Sequence, residues 1–130
     1  MSPTQRTLTF TVPGQPIAKG RPRFVSTGTG TARAYTPKRT KDYEALVKQY
    51  ALVARQAARW RLLESEDVVL IVRPFQKGGR YSDPDNVFKS VADALQGVIY
   101  ANDVQIIEAR AHRAKRDDDN PRTEIEVREA

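Results

Sequence analysis

The sequence predicts a single α/β domain (α+β) in which one mixed β-sheet is covered by two helices. Two kinds of observation carry this expectation. Apolar runs with strand periodicity begin, divide and end the chain, and two segments with apolar residues at helical spacing lie between them. The length of 130 residues and the hydrophobic content of 39 % suit one compact core. No internal repeat and no linker divides residues 1–130.

The elements follow in order. Thr7–Gly14 (TLTFTVPG) alternates Leu8, Phe10 and Val12 with threonines and ends in Pro-Gly, a strand with one buried face and then a turn. Residues 14–40 are rich in Gly, Pro, Thr and Arg and lack a sustained period. They read as a long functional loop with short strands at Arg23–Val25 and Arg33–Tyr35. A helix follows, capped by Thr36 or Thr40, the former with Pro37 at the first helical position. Tyr43, Leu46, Val47, Tyr50, Val53, Ala54 and Ala57 form its packing face, and Lys41, Lys48, Arg55 and Arg59 lie on the other. Glu66–Phe75 is a β-branched run, expected as a buried central strand that ends at Pro74. A basic loop, QKGGRYS, precedes a second helix over Asn86–Gln96, for which Gly97 is the stop. Residues 98–115 look extended, with a turn near Ala101–Asn102. RDDDNPR (residues 116–122) is a turn, and TEIEVRE (residues 123–129) a final half-exposed strand.

Composition narrows the function. The absence of cysteine excludes disulfides, thiolate zinc sites and cysteine nucleophiles, and suits a reducing cytoplasm. A lone His112 cannot make a His-rich metal site. No apolar run has the length of a signal or a membrane span, so no membrane role is expected. Charge is uneven: residues 1–61 carry +10 and residues 62–130 carry −4, within a net +6. A basic half of this kind is the footprint of a polyanion binder.

Against that background the stretch YSDPDNVFKSVADAL, residues 81–95, sets Asp83 and Asp85 two residues apart at a helix start. One acid there is an ordinary cap. Two carboxylates leaving an extended chain on one side are harder to explain as caps. The helix spans about 16 Å, and the six residues from Gly97 to Asp103 reach about 20 Å if extended. Asp103 is therefore expected to return beside Asp83 and Asp85. Three such carboxylates repel without a cation and suit Mg²⁺, with Mn²⁺ as a substitute. Lys89, four residues after Asp85, faces the same way and can hold a phosphate oxygen. A carboxylate–metal cluster in a basic protein points to phosphodiester hydrolysis.

The ordered motifs sharpen this reading. DPDNVFKSVADALQGVIYANDVQI resembles the signature region of the RusA family of Holliday junction resolvases: an Asp-x-Asp-Asn pair, a lysine, an Asp-Ala-Leu-x-Gly helix end, and an acidic pair before Gln and an apolar strand. VPGQPIAKGRPRF and YTPKRTKDYE resemble the family's opening. The chain departs from the pattern at Asn102, where the family commonly has Asp. The resemblance implies a RusA-like fold and a homodimeric, Mg²⁺-dependent endonuclease of a bacterial or phage-infected cell. Such an enzyme cuts four-way junction DNA in paired symmetric incisions that leave 5′-phosphates, and serves recombination and repair. It places Asp83, Asp85 and Asp103 as metal ligands and catalytic groups, with Lys89 assisting at the phosphate. A non-catalytic nucleic-acid-binding module and a less selective flap nuclease are the alternatives.

DNA contacts are expected from Lys19, Arg21 and Arg23, which alternate along one loop, and from Lys77 and Arg80 beside the acidic motif. Tyr35 is a stacking or core residue, Asp93 a structural partner of a nearby base, and His112 a packed or surface residue. Asp117–Asp119 are expected to be solvated without partners. Tyr50, Trp60 and Val98–Tyr100 are the candidate dimer surface, in competition with the core.

Overall fold

The computed structural model describes residues 5–20, 23–26 and 32–130. The expected architecture is found: a mixed sheet with two helices, in one α+β unit. Strand β1 (Thr7–Pro13) leads to the hairpin β2 (Arg23–Ser26) and β3 (Ala32–Tyr35), then helix α1 (Lys38–Ala58). Strand β4 (Val68–Gln76), helix α2 (Pro84–Leu95), β5 (Ile106–Ala111), β6 (Lys115–Arg116) and β7 (Arg122–Glu129) follow. The main sheet runs β1-β7-β4-β5, with β6 also on β4. β4 is parallel to β5 and β6 and antiparallel to β7.

The core explains the periodicities. Leu8 and Val12 of β1, Val68, Leu70 and Val72 of β4, and Ile125 and Val127 of β7 face Val47 and Ala51 of α1 and Val87, Val91 and Leu95 of α2. Both helices therefore cover the same face of the sheet. Buried polar groups are paired. Tyr43 and Thr123 hydroxyls meet at 2.6 Å, and burial pushes the Tyr43 phenol up to about 12. The Tyr100 hydroxyl donates to the Ala92 carbonyl at 2.6 Å, and burial raises its pKa well above the ordinary tyrosine range. Trp60 Nε1–H donates to the Ile99 carbonyl at 3.0 Å.

Several boundaries differ from expectation for local reasons. α1 starts after Pro37 with no side-chain cap. Thr40 lies inside the helix, buried, and accepts the Gly20 N–H at 2.9 Å. A Cβ at Gly20 would stand 2.9 Å from the Pro37 ring, so only glycine lets the loop lie this close to α1. β4 continues two residues past Pro74, because that residue falls between the ladders of β5 and β6, where no amide donor is required. α2 begins at Pro84, two residues before the expected Asn86, and Asp83 is its N-cap. Gly97 ends it with φ +78°, as its left-handed turn requires.

Among the described residues no helix is long and apolar enough to cross a membrane. Trp60, Val98, Ile99 and Tyr100 are buried within the chain, and Tyr50 packs against the core. The core has taken the residues expected at a dimer surface.

Candidate active site

β4, α2 and β5 form a βαβ unit, the connection in which a crossover helix joins parallel strands. The acidic motif sits just beyond the carboxyl end of β4, the usual place for a site in parallel sheets. Its approach loop is braced from several sides. Buried Gln76 donates to the carbonyls of Gly78 (2.9 Å) and Arg80 (3.2 Å). Gln15 clasps the Lys77 backbone through both of its polar atoms. Asp118 accepts the Gly78 N–H at 2.8 Å, and Asp117 pairs with Arg122 at 2.8 Å. The acidic run at 117–119 was expected to have no partners; two of its members instead fasten the turn and the neighbouring loop. Lys77 and Arg80 are exposed beside the acidic motif.

Asp83 Oδ1 accepts the Asp85 N–H at 2.8 Å, the bond that starts α2. Asp85 lies in the first helical turn, and both carboxylates are exposed. Lys89 stands one turn further, exposed, with no ion pair among the described residues. Arg113 lies 4.5 Å over the Tyr81 ring and brings a further cation to this end of the sheet. Neither was singled out from the sequence; an aromatic next to the acidic motif was the available signal.

Asp103 is elsewhere. The chain does not run back along α2 after Gly97: Gly97 N–H bonds the Tyr100 carbonyl and Ile99 N–H the Leu95 carbonyl, a tight turn at the helix end. Asp103 N–H then donates to Gln96 Oε1 at 3.0 Å, so Asp103 stands at the C-terminal end of the helix whose N-terminus carries Asp83. The 12 residues of α2 separate the two by about 18 Å. Among the described residues no three acidic or imidazole groups come together as a metal centre. The expected convergence within one chain is corrected by this turn.

Asn102 has a local task. Its side-chain oxygen accepts the Val104 N–H at 3.0 Å, and its own N–H donates to Gln105 Oε1 at 2.8 Å, capping a 3₁₀ turn over Asp103–Gln105. Asp and Asn cap about equally well, so an acid there would serve the backbone no better. Gln105 is buried and donates to the Leu63 and Glu66 carbonyls.

The basic loop is only partly described. Arg21 lies outside the described residues, and of Arg23 the placement in β2 is what the structure describes. Lys19 is not a free cation. Its Nζ binds Glu44 at 2.7 Å and Asp93 at 2.9 Å, tying the loop to α1 and α2. Asp93 thus has the structural partner expected of it. Burial pulls the Lys19 pKa down, but the hydrogen bonds and charges of Glu44 and Asp93 outweigh it and raise the value above that of an ordinary lysine. The pair therefore stabilises the fold in full below the unfolded lysine pKa and loses that contribution as pH rises through the higher folded value. Replacing Lys19 by Met is expected to cost about 1–2 kcal/mol near neutral pH, since two carboxylates lose their cation at a partly exposed site. The difference from wild type should shrink in strongly alkaline solution. Urea unfolding at two pH values measures both.

Residues 13–128 match the family model described as "Endodeoxyribonuclease RusA". The chain is also similar to the "Uncharacterized protein YqaN" of Bacillus subtilis (strain 168), at 33 % identity over 144 residues, covering 94 % of this chain and 96 % of that protein.

Proposed function

The chain belongs to the RusA family of endodeoxyribonucleases, and from that premise we propose that it resolves four-way DNA junctions as a Mg²⁺-dependent homodimer, cutting two opposed strands. The observation that carries the reading is the exposed Asp83–Asp85 pair at the N-terminus of α2, with Lys89 a turn away and Lys77 and Arg80 alongside. Mg²⁺ is commonly held by one or two carboxylates together with substrate phosphates. Asp83 and Asp85 fit that donor set: hard oxygens, exposed, with one oxygen of Asp83 already oriented by the Asp85 N–H. These two residues would hold the ion. When bound, it would supply an activated water and charge neutralisation at the phosphoryl group. Lys89 would fix a non-bridging phosphate oxygen. Lys77, Arg80 and Arg113 offset the repulsion between the carboxylates and the DNA backbone, and the α2 N-terminus favours an anion on its axis.

Asp103 serves the site of the second copy. It cannot reach the pair in its own chain, and it adjoins the face most suited to a partner. β5 is an outer strand of the sheet, with its four central residues exposed. Ile107 is 61 % exposed and Val104, next to Asp103, 80 %. An open strand edge flanked by bare aliphatic side chains is a template for pairing with another chain. Twofold pairing also supplies two sites for a twofold junction.

The test is incubation with a synthetic four-way junction, with and without Mg²⁺, beside duplex and flap substrates. Paired incisions restricted to the junction and to the metal-containing sample are the expected result. Equal cutting of flaps would replace the reading by a less selective nuclease, and tight binding without any incision by a DNA-binding module.

A further inference from the structure

One flank of α1 carries charge that the site above does not use. Lys41, Lys48 and Arg55 are seven residues apart, so at 3.6 residues per turn they fall within about 40° of one another around the helix, and Arg59 follows four later as its left-handed C-cap. The row extends about 27 Å. It lies on the side of α1 towards α2: Arg55 Nη1 donates to the Val98 carbonyl just past α2 at 3.1 Å, and neighbouring Glu44 is joined through Lys19 to Asp93. The two helices run the same way. Near their starts, Gly20 bonds Thr40 and Lys19 N–H bonds the Asn86 carbonyl; near their ends, Arg55 reaches Val98.

No carboxylate offsets this row. Glu44 is held by Lys19, and Asp42, the other acid of the helix, pairs with Lys38 at 3.4 Å, about 100° around the helix from Lys41. Lys41, Lys48 and Arg59 are exposed, and among the described residues none of the four makes an ion pair. A soluble surface normally intersperses charges of both signs, because a single-sign row repels itself. Here the row continues at Arg61 beyond the helix, around an open groove with Leu52 and Arg59 in its lining.

We infer that this flank of α1 binds the sugar–phosphate backbone of one duplex arm, over about eight base pairs at 3.4 Å each. The inference rests on the proposed reading of the α2 site, which lies on the same face of the sheet. The contacts position the arm and carry no base information.

The triple variant Lys41→Gln, Lys48→Gln, Arg59→Asn tests it. Asn tolerates the left-handed φ of 53° that Arg59 adopts, and Arg55 is kept because it also braces Val98. Binding is measured in metal-free buffer across a salt series, on junctions with arms of about 5 and about 20 base pairs. On long arms the log–log salt slope is expected to fall by about 2.7, three contacts at 0.9 each, and little on short arms. Thermal unfolding should match wild type. An undiminished slope on long arms overturns the inference, as does an equal fall on both junctions, which would place the row at the crossover. If wild-type protein cuts no DNA yet the slope still falls with long arms, the nuclease reading fails and the DNA-binding flank stands.

Discussion

Asp83→Asn and Asp85→Asn should each remove strand cleavage while leaving junction binding unchanged or tighter. Asn is the informative substitution because it caps a helix about as well as Asp, so the Asp83 oxygen that accepts the Asp85 N–H keeps its partner. Asp85, in the first turn, loses a favourable interaction with the helix dipole worth about 0.3–1 kcal/mol. Stability should therefore change little in either variant. Activity should change greatly. Groups that merely orient a metal ligand are worth about 10–100-fold, so the loss of a direct carboxylate is expected to exceed 100-fold. Removal of one negative charge beside the phosphates weakens repulsion, hence the retained binding. Single-turnover cleavage at saturating protein separates the two effects. A variant that cuts at the wild-type rate with an unchanged melting curve would remove that residue from the metal site.

Mixing two inactive proteins should restore cutting. In the shared-site reading, each centre takes Asp83 and Asp85 from one copy and Asp103 from the other. A chain with Asp83→Asn and Asp85→Asn, paired with a chain bearing Asp103→Asn, then leaves one centre with all of its substitutions and the other with none. The mixed dimer should nick one strand of a junction where each parent alone is inactive. The gain is from background to about half of the wild-type strand cuts per mixed dimer, or about a quarter over all dimers once subunits have exchanged at random. If all three acids acted within one chain, every centre would carry a substitution and no mixture would cut. A control pairing two Asp85→Asn chains must remain inactive. Adding Ile107→Glu to both parents should abolish the rescue by charging the exposed β5 edge, with sedimentation reporting the loss of the dimer.

Much of the molecule was legible locally. Alternation in TLTFTVP and TEIEVRE marked β1 and β7, because one side of each strand meets the helices. Ala94, Leu95 and Gly97 of the Asp-Ala-Leu-x-Gly motif are explained by two buried side chains and one left-handed turn. The acidic helix start was visible as well, two residues out, since Asp at an N-cap and Pro at N1 are both local preferences.

What the sequence by itself determined is therefore the two helices and the strands β1, β4 and β7, the uneven charge and the acidic pair at the α2 start. These depend on residues a few positions apart, whose spacing maps directly onto one face of a helix or strand. Tertiary structure alone decided the rest. The three cations of the Lys19 loop looked equivalent in sequence, yet Lys19 is consumed by Glu44 and Asp93 from two different helices. Asp103 was within chain-length reach of Asp83, but the bonds of Gly97 and Ile99 turn the backbone away. Chain length bounds how far two groups can approach; which groups do meet depends on the packing that buries Val98, Ile99 and Tyr100.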